Sequence, residues 1–131
     1  MKVRFWGVRG SIPTPLSSDS IRSKIAAVVQ RISRKDIENP ESREKFLASL
    51  PEELFSTVGG NTSCVEMLGS DTERIIFDAG TGIRDLGAEI AASRGSARCH
   101  IFFSHFHWDH LQGLPFFAPA FNPSSSITFY S

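Results

Sequence analysis

Cysteine is scarce: the chain of 131 residues has two, Cys64 and Cys99. That excludes a disulfide framework and points to a reducing, cytoplasmic setting. Net charge is lacking as well, with 14 Lys and Arg balanced by 14 Asp and Glu. The balance argues against a broadly basic nucleic-acid surface and excludes an acidic solvating tail. No apolar run approaches the ~18 residues of a membrane span. The opening MKVRFWGVRG carries no apolar stretch of the signal-peptide kind. Internal repeats and low-complexity tracts are absent too. What the sequence does hold is phenylalanine, 11 residues against one Tyr and two Trp, which is ample core material for a globular chain of about one domain.

Residues 2–7 alternate, with Val3 and Phe5 on one face and Lys2, Arg4 and Trp6 on the other, so a strand ending at Gly7 is expected. Gly10-Ser11-Ile12-Pro13-Thr14-Pro15 is turn chemistry, because two prolines this close do not fit regular structure. Residues 16–55 carry half of all the charges, seven of each sign. There Asp19 or Ser20 caps an expected helix with Ile21, Ile25, Val28 and Ile32 at helical spacing. Asn39-Pro40-Glu41 starts a second, with Phe46, Leu47 and Leu50 as its stripe and Pro51 as its stop. Two short helices bury too little to stand alone, so this segment reads as a helical insertion, either a solvated pair packed on the main body or a lid or partner surface. The remainder reads as βαβ material. Strands are expected over residues 64–68, 74–77, 99–103 and 126–130, with a turn at Gly69-Ser70-Asp71. A helix over residues 83–92 is closed by Gly95, and Leu111 to Phe117 is helical or turn-like.

The chemistry concentrates in His105-Phe106-His107-Trp108-Asp109-His110, directly after the strand His100–Phe103. Three of the four histidines and a carboxylate fall within six residues. Neutral imidazole and carboxylate are the ligand types of Zn²⁺ and its first-row neighbours. In extended chain His105 and His107 share a side and can reach one metal, while a turn aims Asp109 and His110 at a second. His100 reads as structural. Cys64 and Cys99, in apolar strands at no ligand spacing, read as buried inert thiols. Asp78, at the end of a strand expected beside the one feeding His105, either supports a metal-bound histidine or caps the helix after Gly82. Gly59-Gly60-Asn61-Thr62 offers backbone N–H groups and a hydroxyl toward a phosphate, with Arg9 and Ser11 able to assist, or it is a plain turn.

H-x-H-x-D-H after a buried strand resembles the signature of the metallo-β-lactamase superfamily. The segments Gly7-Val8-Arg9-Gly10-Ser11-Ile12-Pro13, Gly59-Gly60-Asn61-Thr62-Ser63-Cys64-Val65-Glu66 and Phe77-Asp78-Ala79-Gly80-Thr81-Gly82 resemble most closely the branch of phosphoribosyl cyclic phosphodiesterases and ribonuclease Z. They occur in the family's order and cover nearly the whole chain apart from the insertion. The resemblance implies an α/β fold, the αββα sandwich, with residues 1–131 as its N-terminal half and a helical insertion after the first strand. It implies two divalent metal ions, Zn or Mn. His105 and His107 then bind the first, Asp109 and His110 the second, and Asp78 supports the cluster from behind.

A two-metal centre needs more ligands than this. In the family a third His, a bridging Asp and a last His come from the second half of the fold, and no histidine follows His110. The 131 residues alone are therefore expected to be inactive, and their uncovered sheet face to drive dimerisation or association with a C-terminal half. The expected activity of the whole protein is hydrolysis of a small cyclic phosphodiester or nucleotide by a hydroxide held between two metals, with Asp109 as ligand and orienter. Thioester or RNA hydrolysis on the same fold, and a non-catalytic metal-binding or scaffold module, are the alternatives.

Overall fold

The structure, a computed structural model, describes residues 2–68, 73–93 and 96–131. In chain order its elements are β1 (Lys2–Gly7), α1 (Ser18–Val29), α2 (Pro40–Ser49), β2 (Cys64–Leu68), β3 (Glu73–Phe77), α3 (Ile83–Ala92), β4 (Arg98–Phe102) and β5 (Ser126–Tyr130). They fall into two compact units, Met1–Thr14 with Val58–Ser131, and Pro15–Thr57. The expected turn at Gly69-Ser70-Asp71 and the closure of α3 by Gly95 lie outside the described residues. None of the described helices is long and apolar enough to cross a membrane.

The first unit is a five-stranded mixed sheet in the order β1-β2-β3-β4-β5. β1 to β3 form an antiparallel meander, while β3, β4 and β5 run parallel. Parallel neighbours need long crossovers. Helix α3 supplies the first. The second consists of short 3-10 turns at Trp108–His110, Leu114–Phe116 and Ala118–Phe121. Pro115 and Pro119 stand at the starts of the last two, where a fixed φ helps and a missing N–H costs nothing. α3 forms because Ile83, Leu86 and Ile90 recur at helical spacing, and that stripe is buried. It packs with Cys64, Ile76, Cys99, Ile101 and Phe117 into one core. Both cysteines are free and fully buried there. Burial pushes both thiols up, Cys99 to about 11, as expected of inert thiols.

Strand alternation gives the sheet two unlike faces. β1 turns its polar-looking side, Arg4 and Trp6, toward the covered face, and leaves Val3 and Phe5 exposed. The reason is an ionic network. Glu66 on β2 is 0% exposed, and Arg74 Nη1 donates to its carboxylate at 2.6 Å, with Trp6 Nε1 donating at 3.1 Å. Arg4 reaches the same carboxylate at 3.8 Å, stacks 4.3 Å from the Trp6 ring centre, and makes a two-pronged pair with Glu89 on α3. The opposite face carries a row paired across all five strands, Phe5, Val65, Phe77, Phe102 and Tyr130. Phe102 stacks on Phe77 and Tyr130 with ring centres 5.6 and 4.3 Å apart. His100 lies on this face as well, its Nδ1 2.9 Å from the Tyr130 hydroxyl, in agreement with a structural role.

In the second unit Asn39 caps α2 through the Ser42 N–H, and Phe46 and Leu50 are buried. The cap of α1 is Ser17, not Asp19 or Ser20, and Ile32 lies beyond the helix end. Ser17 has the extended backbone a cap needs, and its hydroxyl accepts the Ser20 N–H at 3.1 Å. Lys24 donates to the carbonyls of Glu53 and Ser56, both at 2.7 Å, tying α1 to the turn at Glu52–Leu54.

Two measurements check the network. Arg74→Met strips Glu66 of its nearest cation and is expected to cost about 3 kcal/mol in urea unfolding. Adding Glu66→Leu should recover most of that loss; a double variant as unstable as the single one would contradict the account. Glu89 is held below the usual glutamate range, first by the Arg4 hydrogen bond and then, against a desolvation penalty, by the Arg4 charge. A depressed folded-state value means that its contribution is complete above ~4.3 and disappears as pH falls below that. The stability gap between wild type and Glu89→Gln at pH 7 should therefore shrink as pH falls below ~4.3 and through the depressed folded-state value.

Candidate metal centre

The loops that follow β3 and β4 leave the carboxyl ends of parallel strands, where open α/β sheets place ligands. Their backbones interlock. Asp78 N–H donates to Phe102 O at 2.9 Å, Ala79 N–H to His110 O at 2.8 Å, Gly80 N–H to Ser63 O at 2.8 Å and Gly113 N–H to Ala79 O at 2.9 Å. The approach is so close that a Cβ on Gly80 would lie 2.5 Å from the Asp109 carbonyl oxygen, and one on Gly113 2.0 Å from the Gly80 carbonyl oxygen. Glycine is required at both positions for lack of space.

Two non-glycine residues in this cluster adopt left-handed backbone, Ser11 at φ 67° and Asp78 at φ 61°, a conformation uncommon outside glycine. At Ser11 it accompanies an N–H aimed at Asp109 Oδ2, 2.9 Å away. At Asp78 it accompanies a carboxylate that takes partners from two other segments, the loop before β2 and the crossover after β4. Oδ1 accepts from the Ser104 N–H at 2.9 Å, and Oδ2 from the Ser63 hydroxyl at 3.1 Å. His110 Nδ1 lies 2.8 Å from the same Oδ2. Burial pushes the Asp78 carboxyl up, but the Ser104 N–H, His110 and the Ser104 hydroxyl together hold it below the usual range. Asp109 is also held low, first by the Ser11 N–H and, against desolvation, by its own backbone N–H and the neighbouring imidazoles.

The motif's side chains gather at this point. The rings of His105 and His107 are 4.4 Å apart edge to face, and those of His105 and His110 4.1 Å apart. Among the described residues no three His, Cys, Asp or Glu side chains converge to hold a metal ion by themselves. The donor chemistry nevertheless fits a cation. An ionised Asp78 accepts only, so His110 gives it the Nδ1 proton, and its Nε2 lies 3.4 Å from Asp109 Oδ2. An imidazole nitrogen and a carboxylate oxygen at this distance are held by a positive centre between them, a ring proton or a metal cation. Bonds of about 2.0–2.1 Å to a tetrahedral metal place neighbouring ligand atoms about 3.3 Å apart.

The remaining sequence candidates divide. Asp78 meets His110 and does not cap α3, whose N-cap is Gly82 with no side-chain bond. Thr62 does not offer its hydroxyl to a phosphate. It is fully buried, exchanges bonds of 2.8 and 2.9 Å with Thr81, and also accepts from Gln112 at 3.2 Å. Asn61 is occupied too: its carbonyl takes the N–H groups of Val8 and Arg9, and its side chain engages Thr81 and Asp85. These two residues latch loops together. Arg9 and Ser11 remain exposed. Sequence reasoning missed Ser104, whose hydroxyl lies 2.9 and 3.0 Å from the two Asp78 oxygens and 3.0 Å from His105 Nδ1. Its position directly before His105 was the only available signal.

Comparison with known proteins identifies the family. The profile of the metallo-beta-lactamase superfamily matches residues 57–127, which include Asp78 and the whole histidine motif. The lactamase-like protein notP of Aspergillus sp. (strain MF297-2) is 34% identical over 94 residues, 70% of this chain and 26% of that protein. The lactamase-like protein aptB of Emericella nidulans is 30% identical over 105 residues, 67% of this chain and 33% of that protein. The chain thus spans about a quarter to a third of the length of these relatives. No solved structure matches it. A profile that covers more than half of the chain, centred on the loops that carry the clustered histidines and carboxylates, shows that the chain belongs to the metallo-beta-lactamase superfamily.

Proposed function

We propose that this chain forms part of a metal-dependent hydrolase that cleaves a phosphodiester, with a small cyclic phosphodiester or nucleotide as the substrate class. The observation that carries the reading is the 3.4 Å convergence of His110 Nε2 and Asp109 Oδ2 beside the His105–His107 pair. His105 and His107 would hold one divalent cation, Zn or Mn, and Asp109 and His110 a second. Such cations polarise phosphoryl oxygens and make water acidic enough to attack near neutral pH.

The chain's own groups have definable tasks. Asp78 orients His110 and fixes its proton on Nδ1. The Ser11 N–H fixes the rotamer of Asp109. Arg9, exposed nearby in sequence to Ser11, is available to pair with a phosphate. Zero net charge favours a small substrate over a long polyanion such as RNA. The segments that resemble the cyclic phosphodiesterase and ribonuclease Z branch favour phosphorus chemistry over lactam hydrolysis. Two free, buried thiols suit a reducing cytoplasm. The open aromatic face supports association with the rest of the protein or with a second copy. A second reading, a non-catalytic metal-binding or scaffold module, is favoured by the lack of any three converging ligands among the described residues.

The test is Asp109→Ala in the full-length protein. Metal analysis should show a loss of about one ion per chain, and hydrolysis of bis-p-nitrophenyl phosphate should fall by orders of magnitude while the fold persists. Unchanged turnover and metal content would remove Asp109 from the centre. A wild-type protein that binds no divalent metal would favour the scaffold.

A further inference from the structure

We propose that Ser104 is a positioning residue that dictates which ring nitrogen of His105 carries the proton. Acting with Asp78, it leaves the Nε2 lone pairs of His105 and His110 as the ones open to a cation. The second half of this statement rests on the metal reading above; the proton assignment does not.

Donor and acceptor capacities fix where the protons lie. A hydroxyl has a single proton and two lone pairs, and an ionised carboxylate has lone pairs only. Ser104 Oγ is within 3.0 Å of both oxygens of Asp78. Its proton must point there, since otherwise oxygen lone pairs would oppose each other at hydrogen-bond distance. Oγ therefore meets its other neighbours as an acceptor. His105 Nδ1, 3.0 Å away, has to be the donor and so carries hydrogen. The same rule puts hydrogen on His110 Nδ1, 2.8 Å from Asp78 Oδ2, with a longer approach to Ser104 Oγ at 3.4 Å. The Ser104 N–H also donates to Asp78, so the hydroxyl is anchored at both ends of its own residue. One carboxylate thus sets two imidazoles, His110 directly and His105 through a serine. That hydroxyl is what the sequence places immediately before the first histidine.

The experiment is long-range ¹H–¹⁵N correlation of ¹⁵N-histidine-labelled protein, metal-free, in mildly alkaline buffer where free imidazole is neutral. In the wild type both His105 and His110 should carry the proton on Nδ1. In Ser104→Ala, His105 should lose that preference and populate the Nε2–H form, while His110, still bonded to Asp78, keeps Nδ1–H. Ser104→Thr retains the hydroxyl and should restore His105. A wild-type His105 protonated on Nε2, or one unmoved by Ser104→Ala, overturns the proposal. Should Ser104→Ala not fold, the wild-type and Ser104→Thr spectra decide alone. Co²⁺ titration of the same samples should show affinity falling about 10- to 100-fold in Ser104→Ala and returning in Ser104→Thr. Equal affinity in Ser104→Ala and wild type counts against Ser104. Absence of Co²⁺ binding by the wild type sinks the metal reading while the tautomer spectra still decide the serine's role.

Discussion

The carboxylate of Asp78, at the end of β3, is the point through which the loops around the histidines are held to one another. It takes the backbone N–H and hydroxyl of Ser104 from the loop after β4, the Ser63 hydroxyl from the loop before β2, and the His110 ring. A carboxylate with this many donors stays ionised, and an ionised group aimed by backbone in an unusual conformation does not wander. The other contacts of the cluster presuppose it. Ala79 and Gly80, the next two residues, fix the carbonyls of His110 and Ser63. Without those anchors the crossover that carries Asp109 and His105 would lose its backbone ties to the loop after β3.

The sheet supplies the rigidity behind this. β3 and β4 are adjacent and parallel, so their ends bring Asp78 and Ser104 together by register alone, with Phe77 opposite Phe102. Beneath them the core of Ile76, Ile101, Ile83 and Leu86 is apolar and closed. Farther along, the Glu66 network ties β1, β2 and β3 to α3 through Arg4 and Glu89. The chain therefore separates two electrostatic tasks. Its buried acid is neutralised by arginines on the covered face of the sheet, and its histidines are organised by a second acid in the loop after β3.

Much of this was legible in the sequence because period and punctuation are local. The strand of residues 2–7, the helix of residues 83–92 and the Asn39 cap follow from alternation, a 3.6 spacing and a cap-plus-proline pair. The histidine motif was legible because its residue types are rare and crowded. Other features depend on which residues meet in space. Alternation in β1 defines two faces but not which one α3 covers, and the arginine face is covered because Glu66 and Glu89 lie across from it. Thr62 resembles a phosphate ligand in sequence, and only the reciprocal bonds with Thr81 show that its hydroxyl points inward. Ser104 has no periodic signature, since its partner lies 26 positions away.

The glycines at 7, 80, 82 and 113 each sit where even a methyl group would lie within 2.8 Å of the backbone of another segment. None of them bears a reactive group. Every single-nucleotide missense change of a glycine codon nevertheless installs at least a Cβ. At these four codons each such change pushes apart backbones packed on or beside the loops that Asp78 gathers. In the genetics of this protein, the histidine cluster is therefore as vulnerable through positions with no side chain as through the histidines themselves.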